Sequence, residues 1–450
     1  MENATISLLT HPTVLTAVFV GAGVLILVYI IKLIRKDEDV VVQKTKNEIP
    51  SHSEKRKDAT HSGKAKKKVA DNRWTARNEK QAFSHPWLLT TLKGHTGSIL
   101  DMDFSSNGKY LTSCGDDRAV FIWDTKDLTH KDRKSLRVNI EFDYATLVKW
   151  SPDSKAFIIN KFNENAVEVY KVEKKKDGWL QASKALTFPK AHETDVIGMG
   201  IASNGRFIMT CSNKTDLVLW DLKGQKLTQI DTYLMNTTCA KISPCGRFVV
   251  ATGFTPEARV WEVIFNKSGE FVEIKQVKQL TLSGHSSGVY DVAFDVDSSH
   301  MATVSKDGTW HLYDTKVNYK LGEDTRIIRS GKYEQASNNA LIALSPDAEV
   351  IVIATFNTLS FYSTLTGQLD YAIENVFAGN ITCLLFDSTG KYILVSGDKH
   401  IRVFHNVTGY RCNIQSAKEK LKESQTSATK ERLQKLIVDS QAFLDSVEKK

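Results

Sequence analysis

Short apolar runs recur along most of the chain and are separated by tight polar turns. The segment SILDMDF precedes the turn at Asn107 and Gly108, KYLTSC follows it, and AVFIW comes next. Runs of about five residues that alternate or stay apolar between Gly, Asn and Ser clusters are typical of β-strands. The hydrophobic pattern therefore predicts an all-β body of short antiparallel strands.

The same three-strand unit occurs seven times. Each copy has a tight turn at a reference position, followed 14 to 16 residues later by an aromatic residue. The reference positions are Gly108, Ser154, Gly205, Gly246, Ser298, Ala348 and Gly390, and the aromatics are Trp123, Tyr170, Trp220, Trp261, Tyr313, Tyr362 and Phe404. Hairpin turns need positive φ, which explains the Gly and Asn at several turns. One unit alone leaves a hydrophobic face uncovered, so we expect the seven units to stack and close a ring.

Three copies also carry a histidine at a fixed distance before the aromatic residue. The interval is 28 residues in each of the pairs His95 and Trp123, His192 and Trp220, and His285 and Tyr313. This spacing, the Asp before the last strand and the Ser-Pro-Asp-Gly-like turns resemble the WD-repeat β-propeller family over residues 86–408. The resemblance implies a seven-bladed propeller, whose last blade is completed by the N-terminal segment WLLTTL.

The family has a buried hydrogen-bond tetrad in its blades. Carried over by position, the tetrads are His95, Ser113, Asp117 and Trp123 in the first blade, and His285, Thr303, Asp307 and Tyr313 in the fifth. In such a network the Asp accepts from the His, and the hydroxyl and indole N–H complete the set. The third blade has Lys214 where the Asp would stand. The resemblance also implies that Asp116, Asn213 and Lys306 lie on the loop face that binds partners.

One copy contains a motif that is also found in serine hydrolases. GHSSG at residues 284–288 fits G-x-S-x-G, with Ser286 as the nucleophile. A nucleophile elbow needs a following helix, whereas VYDVAF has a strand pattern. The chain has no P-loop, no H-E-x-x-H and no C-x-x-C pair among its six cysteines. We therefore predict free thiols, no enzyme activity, no metal, no cofactor and no small-molecule substrate.

The N-terminal region predicts a membrane anchor. Residues 14–31 are uncharged, and Lys32, Arg35 and Lys36 follow them. At about 1.5 Å per residue such a helix nearly spans a hydrocarbon core of roughly 30 Å. We predict a transmembrane helix at 14–34, and the positive-inside rule places residues 1–13 in the lumen and the rest in the cytosol. The sequons at Asn213, Asn236, Asn266, Asn380 and Asn406 should then carry no glycans.

The segments on either side of the propeller differ from it in composition. Residues 35–85 are polar and basic, with a cluster at Lys64, Lys66, Lys67 and Lys68, which predicts a disordered linker. Contact of this linker with an anionic membrane leaflet, or with RNA, remains an alternative. Residues 409–450 repeat apolar positions at helical spacing, from Leu433 to Val447. They predict a short amphipathic helix, which either docks on the propeller or forms a coiled coil.

The complete arrangement resembles the membrane-anchored members of the WD-repeat family. Stretches such as MDFSSNGKYL, SPCGRFV and VSKDGTW carry this resemblance. It implies a single-pass protein of the endoplasmic-reticulum membrane with a cytosolic propeller. It also implies a protein-interaction scaffold in the unfolded-protein response, associated with the stress kinase PERK. An RNA- or mRNA-binding adaptor in translational control is the alternative, although the net charge of +8 is modest and falls largely outside the repeats.

Overall fold

The strands of the described residues form seven four-stranded antiparallel sheets, the blades of a β-propeller. The computed structural model describes residues 83–126, 134–176, 179–423 and 426–449. The predicted span at 14–34, its flanking Lys32, Arg35 and Lys36, and the linker lysines all lie outside these residues. Within the described part of the chain, no helix has the length and apolar character needed to cross a membrane.

The first four blades follow one another along the chain, and each contributes its innermost strand first. Blade 1 contains β2 Ile99–Phe104, β3 Tyr110–Gly115, β4 Ala119–Asp124 and β5 Ser135–Asn139. Blade 2 contains β6 Ala145–Trp150, β7 Ala156–Lys161, β8 Val167–Lys174 and β9 Leu180–Thr187. Blade 3 contains β10 Val196–Ile201, β11 Ile208–Ser212, β12 Asp216–Trp220 and β13 Lys226–Asp231. Blade 4 contains β14 Thr237–Ile242, β15 Phe248–Gly253, β16 Arg259–Phe265 and β17 Phe271–Gln276.

The remaining blades repeat this order, except that the last one takes a strand from the start of the described chain. Blade 5 contains β18 Val289–Phe294, β19 His300–Ser305, β20 Thr309–Asp314 and β21 Arg326–Lys332. Blade 6 contains β22 Ala340–Leu344, β23 Val350–Thr355, β24 Thr358–Ser363 and β25 Leu369–Ile373. Blade 7 contains β26 Cys383–Phe386, β27 Tyr392–Ser396, β28 His400–His405 and β1 Leu88–Lys93. In the part of the chain that the structure describes, 3-10 helices occur at Lys278–Leu280 and Tyr319–Leu321.

The ring is closed by pairing between the two ends of the propeller. Strand β1 runs antiparallel to β28, with Thr91 opposite Arg402 and Leu92 opposite Ile401. The predicted role of WLLTTL as the last strand of the final blade is confirmed. This pairing satisfies the backbone of a strand that would otherwise be a free edge, so the ring has no open end.

The seven turns chosen as reference positions all have left-handed backbone. Gly108, Gly205, Gly246 and Gly390 have φ between 65° and 70°. Ser154, Ser298 and Ala348 adopt the same conformation, with φ of 57°, 62° and 58°. The expectation that each turn needs positive φ is confirmed, including at the three positions where the chain does not supply glycine.

The hydrophobic core is divided among the contacts between neighbouring blades. One cluster joins Val120 and Ile122 of blade 1 to Val148, Trp150 and Phe157 of blade 2. The other clusters repeat this arrangement around the ring. Because each sheet has apolar side chains on both faces, a blade is stable only between two neighbours.

The C-terminal tail forms two helices, where the sequence predicted one short helix. Helix α1 spans Val407–Lys422 and α2 spans Ser427–Glu448. The side chain of Asn406 caps α1 by accepting from the Gly409 N–H at 3.0 Å. The end of the predicted apolar stripe docks on the propeller, since Leu444 and Val447 belong to the core cluster around blades 6 and 7. Earlier in the stripe, Ile437 packs against the same cluster and Leu436 is 41% exposed.

Candidate interaction site

The first-blade tetrad residues lie together as one hydrogen-bonded group. Nδ1 of His95 is 3.0 Å from the Asp117 carboxylate, and Nε2 is 2.9 Å from the Ser113 hydroxyl. The Trp123 indole N–H donates to the same hydroxyl at 2.9 Å. The Asp117 carboxylate also accepts from the Thr96 N–H at 2.8 Å. The group therefore ties β3 and β4 to the loop that precedes β2.

The fifth-blade residues differ at the aromatic position. His285 lies 2.7 Å from the Thr303 hydroxyl and 3.1 Å from the Asp307 carboxylate. The Tyr313 hydroxyl donates to the carbonyl oxygen of Ser283 at 3.0 Å. A phenol carries its donor at the end of the ring, whereas an indole carries it at the side. This change in donor position accounts for the different partner.

The third blade contains a complete network that the sequence analysis missed. The acid is Asp216, two residues after the exposed Lys214, and it contacts both His192 and the Ser212 hydroxyl. His192 and Trp220 both bond to the Thr210 hydroxyl, at 2.7 and 2.8 Å. The interpretation that Lys214 leaves this blade without the acid was wrong, because Asp216, two residues beyond the position that the repeat assigns, contacts His192 instead. The hydroxyl neighbour at Ser212 was the sequence signal that could have located it.

Burial and hydrogen bonding keep the first-blade and fifth-blade networks in one protonation state. Burial lowers the pKa of His95 and of His285, so both imidazoles are neutral at physiological pH. Burial acts to raise the pKa of Asp307, but hydrogen bonds from Thr309 and from the Ser286 N–H outweigh it and lower the pKa to about 2. A neutral histidine beside an ionised carboxylate that is held by several N–H and O–H donors is suited to structural support.

Ser286 does not have the surroundings of a nucleophile. Its backbone N–H donates to Asp307 at 2.9 Å, and the segment after it is strand β18. His285, the nearest base in sequence, already contacts Thr303 and Asp307. Among the described residues, no group of three or more His, Cys, Asp and Glu side chains could hold a metal ion.

The tetrads mark one end of the propeller, which we call the tetrad face. It is formed by the loops between the second and third strands of each blade and by the connections from one blade to the next. Asp116 and Lys306 lie on it with exposed side chains. Asn213 is half-buried, and its backbone N–H and carbonyl bond to Asp195 and Thr237. Asp116 and Lys306 are therefore available to a partner, whereas the backbone of Asn213 also connects its loop to the two neighbouring blade connections.

The tetrad face also exposes large apolar side chains that the sequence analysis did not single out. Phe142, Tyr233, Met235, Phe254 and Phe356 are 92%, 70%, 72%, 58% and 42% exposed. All except Phe254 have left-handed φ, between 52° and 67°. Bulky residues adopt this conformation at an energetic cost, and such residues cluster at functional sites. The sequence signal that could have located them is the presence of large apolar residues in predicted loops, as in EFDY at 141–144 and TYLM at 232–235.

A cavity and a channel open among these loops. The cavity has a volume of about 280 Å³ and is lined by Met235, Phe254, Tyr290 and Lys306. Tyr290 also lines the channel. The central channel, of about 400 Å³, contains ion pairs between Lys149 and Asp101 at 2.7 Å and between Lys241 and Asp291 at 2.8 Å. Loss of hydration in the channel wall raises the pKa of Asp103 to about 6. These pairs connect the inner strands of neighbouring blades.

Seven four-stranded blades with His-centred networks at one end define a WD-repeat β-propeller, a class of proteins that typically serve as non-enzymatic interaction scaffolds. The model of the WD domain, G-beta repeat, matches residues 86–124, 276–314 and 373–405. Transducin beta-like protein 2 of Homo sapiens is 43% identical over 86% of this chain and 87% of its own length. The Mus musculus protein of that name is 42% identical over 88% and 89%. The chain therefore belongs to the WD-repeat family that includes transducin beta-like protein 2.

More distant relatives match a smaller share of the chain. The guanine nucleotide-binding protein subunit beta of Oryza sativa subsp. indica is 20% identical over 70% of this chain and 82% of its own length. Together with the fold, the comparisons describe a WD-repeat propeller scaffold for protein interactions.

Proposed function

We propose that this chain is a membrane-anchored scaffold that faces the cytosol and binds protein partners through the tetrad face. The observation that supports this function is the group of exposed apolar side chains on that face, of which Phe142 is 92% exposed. Burial of such side chains is the main favourable term in protein association. Four of these residues have left-handed backbone, which costs free energy of folding. A role in partner binding would explain why the fold tolerates this cost.

The anchor is part of the same proposal. Its support is the uncharged run at 14–31 with basic residues only on its C-terminal side. We propose a single pass through the endoplasmic-reticulum membrane, with residues 1–13 in the lumen and the propeller in the cytosol. Association with the stress kinase PERK in the unfolded-protein response is supported by the family resemblance. The exposed face supplies a surface on which a kinase domain or its substrate could dock.

Proximity labelling with matched surface variants tests the binding face. The labelling enzyme is fused to the full chain, and Tyr233, Met235 and Phe254 are changed together to serine. A control variant changes Leu222 and Leu321 to serine, because these are 51% and 80% exposed in connections at the opposite end of the strands. We expect the first variant to lose most of its labelled proteins and the control to keep them. Equal labelling by both would refute the proposed face.

An RNA-binding role is supported only by the basic linker. The clustered lysines at 64 and 66–68 could contact phosphates, with a steep dependence on salt. Carboxylates such as Asp116, Asp143 and Asp195 on the tetrad face disfavour phosphate there. Crosslinking of RNA to the full chain, compared with a variant in which these lysines are glutamine, tests the alternative. Crosslinking that survives this change would place RNA elsewhere on the protein.

A further inference from the structure

An aromatic and acidic patch lies on the tetrad face where blades 1, 2 and 3 meet. Its centre is the stacked pair of Tyr144 and Phe162, whose ring centroids are 4.8 Å apart with an interplanar angle of 17°. Phe162 is 40% exposed, and Phe142, two residues before Tyr144, is 92% exposed. Aromatic side chains that are left in water in such a group mark a binding surface.

The stacked pair is held in place by hydrogen bonds beneath it. The Phe162 N–H donates to the Tyr144 carbonyl at 3.0 Å. Asp143 is 3% exposed, and its carboxylate accepts from the Asn163 N–H at 3.1 Å and from the Asn163 side chain at 2.9 Å. The two loops are therefore fixed to each other, and a ligand would not have to order the rings before binding them.

Carboxylates from three separate loops lie close enough to the Tyr144 phenol for their charges to act on it. Loss of hydration raises the pKa of Tyr144, and the charges of Asp116, Asp143 and Asp195 raise it further. Asp116 lies in the β3–β4 loop, Asp143 in the β5–β6 connection and Asp195 in the β9–β10 connection, and the first and last are exposed. The patch is thus acidic on a chain whose net charge is +8.

Two basic residues lie close to the patch in sequence, and they do not cancel its charge. Lys161 is 2.8 Å from Glu164 and 3.6 Å from Glu168, so its charge is already paired. Arg118 is exposed in the same loop as Asp116. Lys214 is exposed in the β11–β12 loop, where the neighbouring Asn213 N–H bonds to the Asp195 carbonyl. Arg118 and Lys214 are outnumbered by the three carboxylates near Tyr144 and the exposed Glu141.

We propose that the patch formed by Phe142, Tyr144, Phe162, Asp116 and Asp195 binds an arginine side chain in an exposed segment of a partner protein, while the buried Asp143 holds the two loops beneath it. A guanidinium group stacks on aromatic faces and keeps its donors free for carboxylates at the ring edge. The same carboxylates repel phosphate, which excludes RNA and anionic lipid as ligands of this patch. This inference rests on the proposed function and adds the chemistry that one part of the tetrad face recognises.

Peptide binding to the full chain tests the proposal. The probe is a fluorescent synthetic peptide in which arginines alternate with glycine and serine, and the matched peptide has citrulline at every arginine. Citrulline keeps the planar shape and removes the charge. We expect fluorescence anisotropy to show salt-sensitive binding of the arginine peptide and at least about fivefold weaker binding of the citrulline peptide. An oligouridylate competitor should leave the arginine peptide bound.

Variants of the protein locate the binding site. Asp195→Asn and Phe162→Leu should each weaken the arginine peptide by about two- to fivefold. The control is Asp324→Asn, the same substitution on an exposed acid between β20 and β21, at the opposite end of the strands. It should leave binding unchanged. Circular dichroism checks that all three variants are folded.

Several outcomes would overturn the proposal. Equal binding of both peptides, competition by oligouridylate, or equal effects of Asp195→Asn and Asp324→Asn would each show that the patch does not recognise arginine. Proximity labelling separates this failure from failure of the proposed function. If the Tyr233, Met235 and Phe254 variant loses labelled proteins while Asp195→Asn keeps peptide binding intact, the face binds proteins through other chemistry.

Discussion

Trp87 connects the closing strand of the ring to blade 6 and to the first C-terminal helix. Its side chain is 4% exposed. Its ring centroid lies 5.1 Å from that of Phe361 and 4.5 Å from that of Tyr371, and the Arg411 guanidinium carbon lies 5.7 Å from the ring. Because β1 is the strand that joins both ends of the propeller, Trp87→Ala should weaken ring closure.

The magnitude follows from the loss of a buried aromatic side chain. Truncation of buried Trp or Phe to Ala typically costs about 3–5 kcal/mol, which includes the cavity that remains. With two aromatic neighbours at contact distance, we expect Trp87→Ala to fall within this range. For a urea m-value of about 3 kcal/mol per molar, the unfolding midpoint should fall by about 1 to 1.7 M.

Urea unfolding of the full chain, followed by far-UV circular dichroism, provides the assay, and Trp179→Ala provides the control. Trp179 is 55% exposed, with the Lys134 ammonium 5.3 Å from its ring. Both variants remove one of the eight tryptophans, and the control should cost less than about 1 kcal/mol. If the two variants unfold at the same urea concentration, Trp87 does not stabilise the closure and the reasoning fails.

Four further predictions concern the networks and the sequons. Asp216→Asn should cost about 1–3 kcal/mol in urea unfolding and Lys214→Ala less than about 0.5 kcal/mol, and the reverse order would disprove the role of Asp216. The pKa of Asp307 is about 2, below its ordinary 3.8, so its carboxylate stabilises the fold above about pH 4 and this contribution disappears as pH falls toward 2. The stability difference between Asp307→Asn and the unmodified chain should therefore shrink over that window, and a constant difference would contradict the pKa. Ser286→Ala should leave partner labelling unchanged, because only its backbone N–H contacts the network. Endoglycosidase should not shift the chain on a gel, because the proposed cytosolic topology keeps the sequons away from glycosylation; a shift that is lost when the exposed Asn236, Asn266 and Asn380 are changed to glutamine would argue for a lumenal propeller.

The amino-acid sequence determined the number of blades and the way the ring closes. Seven turns, each followed by an aromatic residue at a nearly constant interval, specify seven repeats. Ala348 and Gly390 both have left-handed backbone because they occupy the same position of the same hairpin turn. Strand periodicity is a local property, so it can be read along the chain. The closure by WLLTTL followed from the resemblance to WD-repeat propellers, in which the N-terminal segment supplies the fourth strand of the last blade.

Only the tertiary structure decided which residues share a site. Asp216 was missed because the acid lies two residues beyond its place in the repeat, and only the folded strand brings it to His192. The patch around Tyr144 combines loops from three blades, whose residues are 79 positions apart from Asp116 to Asp195. Its chemistry arises from side chains that meet only after the blades pack around the ring. Periodicity thus fixes the repeat, while the sites depend on contacts between repeats, which a local pattern does not contain.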